Sequence, residues 1–139
     1  MVFKNRAESA QLLSQRIREE VGADFTLTYI SHDTQAFAQF VAQNLNSKLT
    51  FFPNSRFANS LIRKFIIIDD GSTSSQEYNE FTDKIRRASP QTKIIVAIPV
   101  IPESEKSQLE ANCDTLLYLH ADPYFFSINQ FYEDNSPNS

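Results

Sequence analysis

Glycine is nearly missing from this chain, with 2 among 139 residues. Glycine lets backbone amides approach a ligand closely and reaches positive φ at little cost, so the scarcity disfavours extensive wrapping of backbone around phosphates. Tryptophan is absent, and the single cysteine, Cys113, excludes an intramolecular disulfide and any multi-cysteine metal site. No apolar run approaches the roughly 20 residues that span a bilayer. The first residues carry no secretory apolar core, so a cytoplasmic location without membrane contact is expected. Basic residues are outnumbered 13 to 17, a formal charge of −4. That surplus aids solubility and gives no support to non-specific nucleic-acid binding; no nucleic-acid partner is expected.

What is present is a core. Hydrophobic residues make up 41% of the chain, 12 of them Phe, enough for one folded domain. We expect that domain over residues 1–134, with a mobile tail over 135–139. Asn5 to Val21 reads as an amphipathic helix, with Ala10, Leu13, Ile17 and Val21 at spacings of three or four, Asn5 and Glu8 as a capping pair, and Gly22 as its stop. Lys4, Arg6, Arg16 and Arg18 are expected to face water. Strands are expected at Phe25–Ile30, Leu49–Phe52, Phe65–Ile68, Ile94–Ile98 and Thr115–Leu119. Helices are expected at Gln35–Leu45, Glu77–Ala88 and Glu103–Ala111, and a polar connection over Pro53–Leu61. Strands alternating with helices predict an α/β fold, an open, mainly parallel five-stranded sheet with helices on both faces.

The stretch from Lys64 to Ser75, KFIIIDDGSTSS, organises the rest. Its apolar half is a buried strand that ends in Asp69-Asp70, one of the two glycines and a run of hydroxyls. At the C-terminal end of a central parallel strand lies the ligand crevice of open α/β sheets. Hydroxyls and amides ahead of a helix can cradle an anion, and paired carboxylates can accept hydrogen bonds from a diol. Asp69 and Asp70 are therefore the candidate catalytic residues, and Gly71, Ser72, Thr73, Ser74 and Ser75 the candidate binding loop. The structural alternative is a turn shaped by Asp70-Gly71 and a helix start capped by hydroxyls.

Other polar residues carry less. His32 beside Asp33, and His120 near Asp122, are polar strand exits whose adjacency does not define an oriented base. Two isolated histidines specify no metal. Arg56, Arg63, Lys64, Arg86 and Arg87 read as solvated charge. Cys113 reads as a small semi-buried residue. Tyr124, Phe125, Phe126, Ile128, Phe131 and Tyr132 form an apolar tail, packed against the body or across a two-fold interface with a partner.

Taken together, Phe3–Leu13 with its KNRAESAQLL core, Ile66-Ile67-Ile68-Asp69-Asp70-Gly71, Ile95–Val100 with Pro99, Pro123–Phe126 and Phe131–Asp134 resemble the type I phosphoribosyltransferase family. The chain is similar to a short, divergent member of it, like small bacterial phosphoribosyltransferase domain proteins. The resemblance implies a phosphoribosyltransferase-like fold and a ligand such as phosphoribosyl pyrophosphate or a ribose 5-phosphate-containing nucleotide. It places the ribose role on Asp69 and Asp70 and the phosphate role on Gly71–Ser75. Mg²⁺ would accompany the diphosphate ligand, held largely by ligand and water; the residues alone specify no cofactor.

The chain departs from that family at named positions. Where the family carries Thr-Gly and, two positions on, Ser or Thr, this sequence has Ser74, Ser75 and Glu77. Where the first strand of the family ends in an Arg-Gly-Gly-like loop, it has His32-Asp33-Thr34. The long covering segment of active members has no counterpart between Phe52 and Lys64. The expectation is a phosphoribosyltransferase-like protein with transfer impaired or lost, its acceptor unspecified. The alternative is a non-catalytic regulatory or protein-interaction scaffold, as monomer or homodimer.

Overall fold

The computed structural model describes residues 2–52, 64–71 and 73–136. The expected connection Pro53–Leu61, Arg56, Arg63, Ser72 and the last three residues of the expected tail lie outside them. The elements are α1 (Arg6–Glu20), β1 (Thr26–Tyr29), α2 (Gln35–Asn44), β2 (Leu49–Phe51), β3 (Lys64–Ile68), α3 (Ser75–Ala88), β4 (Lys93–Pro102), α4 (Lys106–Asn112) and β5 (Thr115–Asp122). Single 3₁₀ turns precede α2 and α4, and another follows β5 at Ile128–Phe131.

All five strands are parallel, in the order β2-β1-β3-β4-β5. The chain adds β2 on one side of β1 and β3 on the other, so the strand order reverses between β1 and β3. In a doubly wound sheet that reversal opens a crevice beyond the carboxyl ends of the two strands, because their exit loops diverge to opposite faces. β3 delivers Asp69 and Asp70 there, and β1 delivers His32 and Asp33.

Alternation along β3 builds the two layers. Ile66 and Ile68 pack with Leu13 and Ile17 of α1 and Phe37 and Val41 of α2. Phe65 and Ile67 pack on the opposite face with Tyr78 and Ile85 of α3 and Leu109 of α4. Every one of these side chains is essentially removed from water, and each large one contributes about 1.5–3 kcal/mol of transfer free energy. α1 begins where the capping pair predicts: the Asn5 side chain accepts the Glu8 amide at 2.9 Å. Its end is marked by Gly22 at φ +79°.

β4 differs from its expected length. The chain does not leave the sheet at Ile98 but continues through Pro99 to Pro102. β3 ends opposite Ala97, so beyond that point β4 has β5 alone as a neighbour. Pro99 has no ladder partner there, and its missing N–H costs no hydrogen bond. β5 lengthens with it, to Asp122.

A third, smaller cluster closes the C-terminal end of the sheet: Phe3, Val100, Phe131 and Tyr132. The residues after the 3₁₀ turn run parallel to the N-terminal segment, bridging Phe3 and Tyr132. The amides of Glu133 and Asp134 donate to the carbonyls of Phe3 and Lys4, each at 2.9 Å. The aromatic tail therefore divides: Phe131 and Tyr132 join the body, while Tyr124 and Phe126 stay exposed. Asn135 is also tied, its amide donating to the carbonyls of Asn129 and Tyr132 at 3.3 Å.

The wholly buried Phe3 pins both ends of the chain. Phe3→Ala is expected to cost about 3–5 kcal/mol in urea unfolding, with amide exchange over residues 131–134 accelerating more than exchange in β3.

Candidate functional site

The Asp69 carboxylate is fully buried. Leaving such a group unpaired would cost several kcal/mol, so it recruits donors. One oxygen accepts the Gly71 amide at 2.9 Å and the Thr73 amide at 3.2 Å; the other accepts the Thr73 hydroxyl at 2.6 Å. This is an Asx-type turn in which the side chain of Asp69 organises the loop that follows it. Burial, and then the neighbouring Asp70 charge, push the Asp69 carboxyl up to about 6. The hydrogen bonds from Thr73 and Gly71 hold it below what burial alone would give. Tyr78 lies beneath, its phenol buried without a hydrogen bond of good geometry and its ionisation pushed well up, first by burial and then by Asp69.

Gly71 is required by the same turn. It takes φ +109°, and a Cβ there would lie 2.7 Å from the Val100 carbonyl oxygen and 3.4 Å from Ile128. Backbone approach is thus spent on β4 rather than on an outside group.

The remaining loop hydroxyls are committed in the same inward manner. Ser74 caps α3: its Oγ accepts the Glu77 amide and donates to the Glu77 carboxylate, both at 3.3 Å. Ser75 Oγ donates to Glu105 at 3.0 Å. Ser72 lies outside the described residues. The start of α3 is therefore met by its own Glu77 and by Glu105 from the turn before α4, both answering the partial positive charge of the helix terminus.

Asp70 parts company with Asp69. Itself 8% exposed, it lines a cleft of about 220 Å³ with Arg6, Asp33, Ala36, Phe37 and Asn135. The adjacent pair expected to act together is thus split, one carboxylate inward and one facing the crevice. Arg6 stays partly exposed, as expected, and also ties α1 to the far end of the chain. Its guanidinium lies 4.4 Å from the centre of the Tyr132 ring and donates to Asn129 at 2.9 Å and Asn135 at 3.2 Å. Neither Arg6 nor Asn135 was legible as a cleft residue, because their partners lie more than 120 positions apart in the chain.

The minor candidates resolve simply. The His32 ring rests on Phe51 at 4.3 Å between centres, while Asp33 lines the cleft. His120 Nε2 and Asp122 Oδ2 meet at 2.8 Å, and this contact holds the Asp122 carboxyl below its usual range. Asp122 also accepts the Tyr124 amide at 2.7 Å, which fixes the exit from β5. Lys64 donates to the Val21 and Ala23 carbonyls at the opposite end of the sheet. The Cys113 thiol is buried, donates to the Leu109 carbonyl and is pushed up to about 11 by burial, which makes it unreactive. Among the described residues no group of three or more His, Cys, Asp and Glu could hold a metal ion, and no helix is long and apolar enough to cross a membrane.

Two outcomes follow. Gly71→Ala is expected to destabilise the protein by about 1–3 kcal/mol, read as a lower urea midpoint at unchanged slope. Asp69 carries a raised folded-state pKa, so the protein binds a proton more tightly than the unfolded chain does. This contribution is complete below the ordinary carboxylate pKa and is lost as pH rises through about 6. Urea midpoints of the wild type should rise from pH 7 to pH 5, and this rise should flatten in Asp69→Asn.

No family model matches this chain, and no curated protein matches it in sequence. Solved structures do match in shape. The Thermus thermophilus protein TT1426 superposes with a TM-score of 0.77 at 14% identity, over 96% of this chain and 91% of that one. The xanthine-guanine-hypoxanthine phosphoribosyltransferase of Helicobacter pylori gives 0.65 at 10% identity, over 89% and 87%. A hypoxanthine-guanine phosphoribosyltransferase of Bacillus anthracis gives 0.63 at 10% identity, over 95% and 88%. Such identities describe a shared architecture, not a shared chemistry. The chain has a phosphoribosyltransferase-like fold.

Proposed function

We propose that this chain is a phosphoribosyltransferase-like protein that has lost transfer and retains weak recognition of a ribose 5-phosphate-containing ligand through Asp70. The observation that carries the reading is the internal saturation of the loop after β3. The donors of Gly71, Thr73 and Ser75 go to Asp69 and Glu105, and Ser74 and Glu77 cap each other. An arriving phosphate would meet the Glu77 and Glu105 carboxylates and loop hydroxyls already taken by Asp69, Glu77 and Glu105, and like charges in a partly desolvated site repel strongly. Transfer of a ribosyl group requires both the phosphate and the departing diphosphate to be held, so it suffers first.

Asp70 and Asp33 offer carboxylate acceptors around the cleft at the β1/β3 reversal, which Arg6 and Asn135 also line. A ribose diol can donate to the carboxylates. Mg²⁺ would arrive bound to a diphosphate, screening its charge from Asp33 and Asp70. The scaffold reading has its own support in Tyr124 and Phe126, which are 72% and 86% exposed.

Calorimetry with phosphoribosyl pyrophosphate and Mg²⁺ tests the proposal. Binding with a dissociation constant of about 1 mM, abolished by Asp70→Asn, is expected, with no diphosphate released on adding hypoxanthine, guanine or xanthine. Diphosphate release that depends on Asp70 would restore the enzyme reading. Absence of binding at ligand concentrations about ten times higher would leave the scaffold.

A further inference from the structure

We propose that the outer edge of β5 pairs antiparallel with β5 of a second copy of this chain, about a two-fold axis near the middle of the strand. β5 ends the sheet. It runs for 8 residues, Thr115–Asp122, most of them half-exposed. Among the described residues no backbone group pairs with its free side. Monomeric proteins protect such an edge with charged side chains, above all lysine, or with proline, a bulge, a covering element or extreme shortness. β5, TLLYLHAD, has no Lys, Arg, Pro or Gly, and its one acid, Asp122, stands at its last position paired with His120. The opposite edge, β2, is 3 residues long and is protected by its brevity.

The flanks of the strand suit a second copy rather than an unrelated chain. On one face, Leu119 borders a groove of about 330 Å³ with Leu12, Gln15, Arg16 and Glu19 of α1. Leu12 is 40% exposed, an apolar side chain with room for a counterpart. Leu119 lies at the middle of β5, so this part of α1 stands beside the axis. A two-fold there sets α1 antiparallel to its copy, and each protomer offers Arg16 and Glu19 to the other. Within its own helix Arg16 meets only the exposed Glu20, at 3.1 Å, a surface pair weak enough to be exchanged for a partner across the axis. On the opposite face the Lys106 ammonium lies 5.3 Å from the centre of the Tyr118 ring, with Glu110 one helical turn on. Tyr118 is also central. Both flanks thus present a cation beside acids, Arg16 with Glu19 and Glu20 and Lys106 with Glu103 and Glu110, so each cation can face an acid of the second copy. Antiparallel pairing satisfies the free amides and carbonyls of the edge and joins two sheets into one of ten strands.

Sedimentation velocity across a concentration series, with hydrogen exchange on the same samples, tests this. The wild type is expected to pass from 15.9 kDa to twice that mass as concentration rises, with amide exchange over residues 115–122 slowing in step. Arg16→Glu places like charges across the axis and should weaken dimerisation at least about tenfold. The double swap Arg16→Glu with Glu19→Arg should restore it. Glu19 is exposed and Arg16 half-exposed on α1, and circular dichroism confirms that the variants fold. A wild type that stays monomeric at every concentration overturns the proposal. So does a dimer whose β5 amides exchange as fast as in the monomer, which would transfer the interface to another surface such as Tyr124 and Phe126. A dimer indifferent to Arg16→Glu overturns the charge complementarity and with it this placement of the axis.

Discussion

A carboxylate with no exposure to water terminates the central strand, and the surrounding architecture answers its need for hydrogen bonds. Asp69 gathers the amides of Gly71 and Thr73 and the Thr73 hydroxyl, which curls the backbone into one turn. That turn forces Gly71 against the Val100 carbonyl and brings Ser74 to the start of α3. It also turns Asp70 away from Asp69 and toward the crevice. Removing any one donor would leave a buried charge underpaired, so the turn behaves as a unit rather than as a sum of separate contacts.

The same pull on donors extends along the loop after β3. A phosphate-binding loop works when its amides and hydroxyls are oriented but uncommitted, so that the ligand completes them. Here Asp69, Glu77 and Glu105 take the hydroxyls of Thr73, Ser74 and Ser75 from within. The fold is shared with phosphoribosyltransferases of known structure, yet a shared scaffold does not carry a shared reaction. Among the described residues, the outer edge of β5 has no backbone partner.

Much of this architecture was legible because it is governed by local periodicity. Ile66, Ile67 and Ile68 form a strand since β-branched side chains suit a pleated, buried ladder. Asn5 caps α1, and Gly22 stops it, through contacts a few residues long. Pro99 misled for a physical reason: proline breaks a ladder only where a neighbour needs its N–H, and β3 has already ended at that level. The partners of Arg6 were not legible because Tyr132, Asn129 and Asn135 come from the far end of the chain.

By itself, the sequence determined the alternation of strands and helices, the apolar faces that sandwich β3, and the position of two acidic residues where that strand leaves the core. These follow from side-chain period and turn chemistry, which act over a few residues. Tertiary structure alone decided that the two carboxylates would separate, Asp69 into the protein and Asp70 toward Arg6, Asp33 and Asn135. It also decided that the loop hydroxyls would be answered by Glu105 from beyond β4. Both outcomes depend on how deeply a group is buried and which distant donors reach it, quantities set only when the layers close.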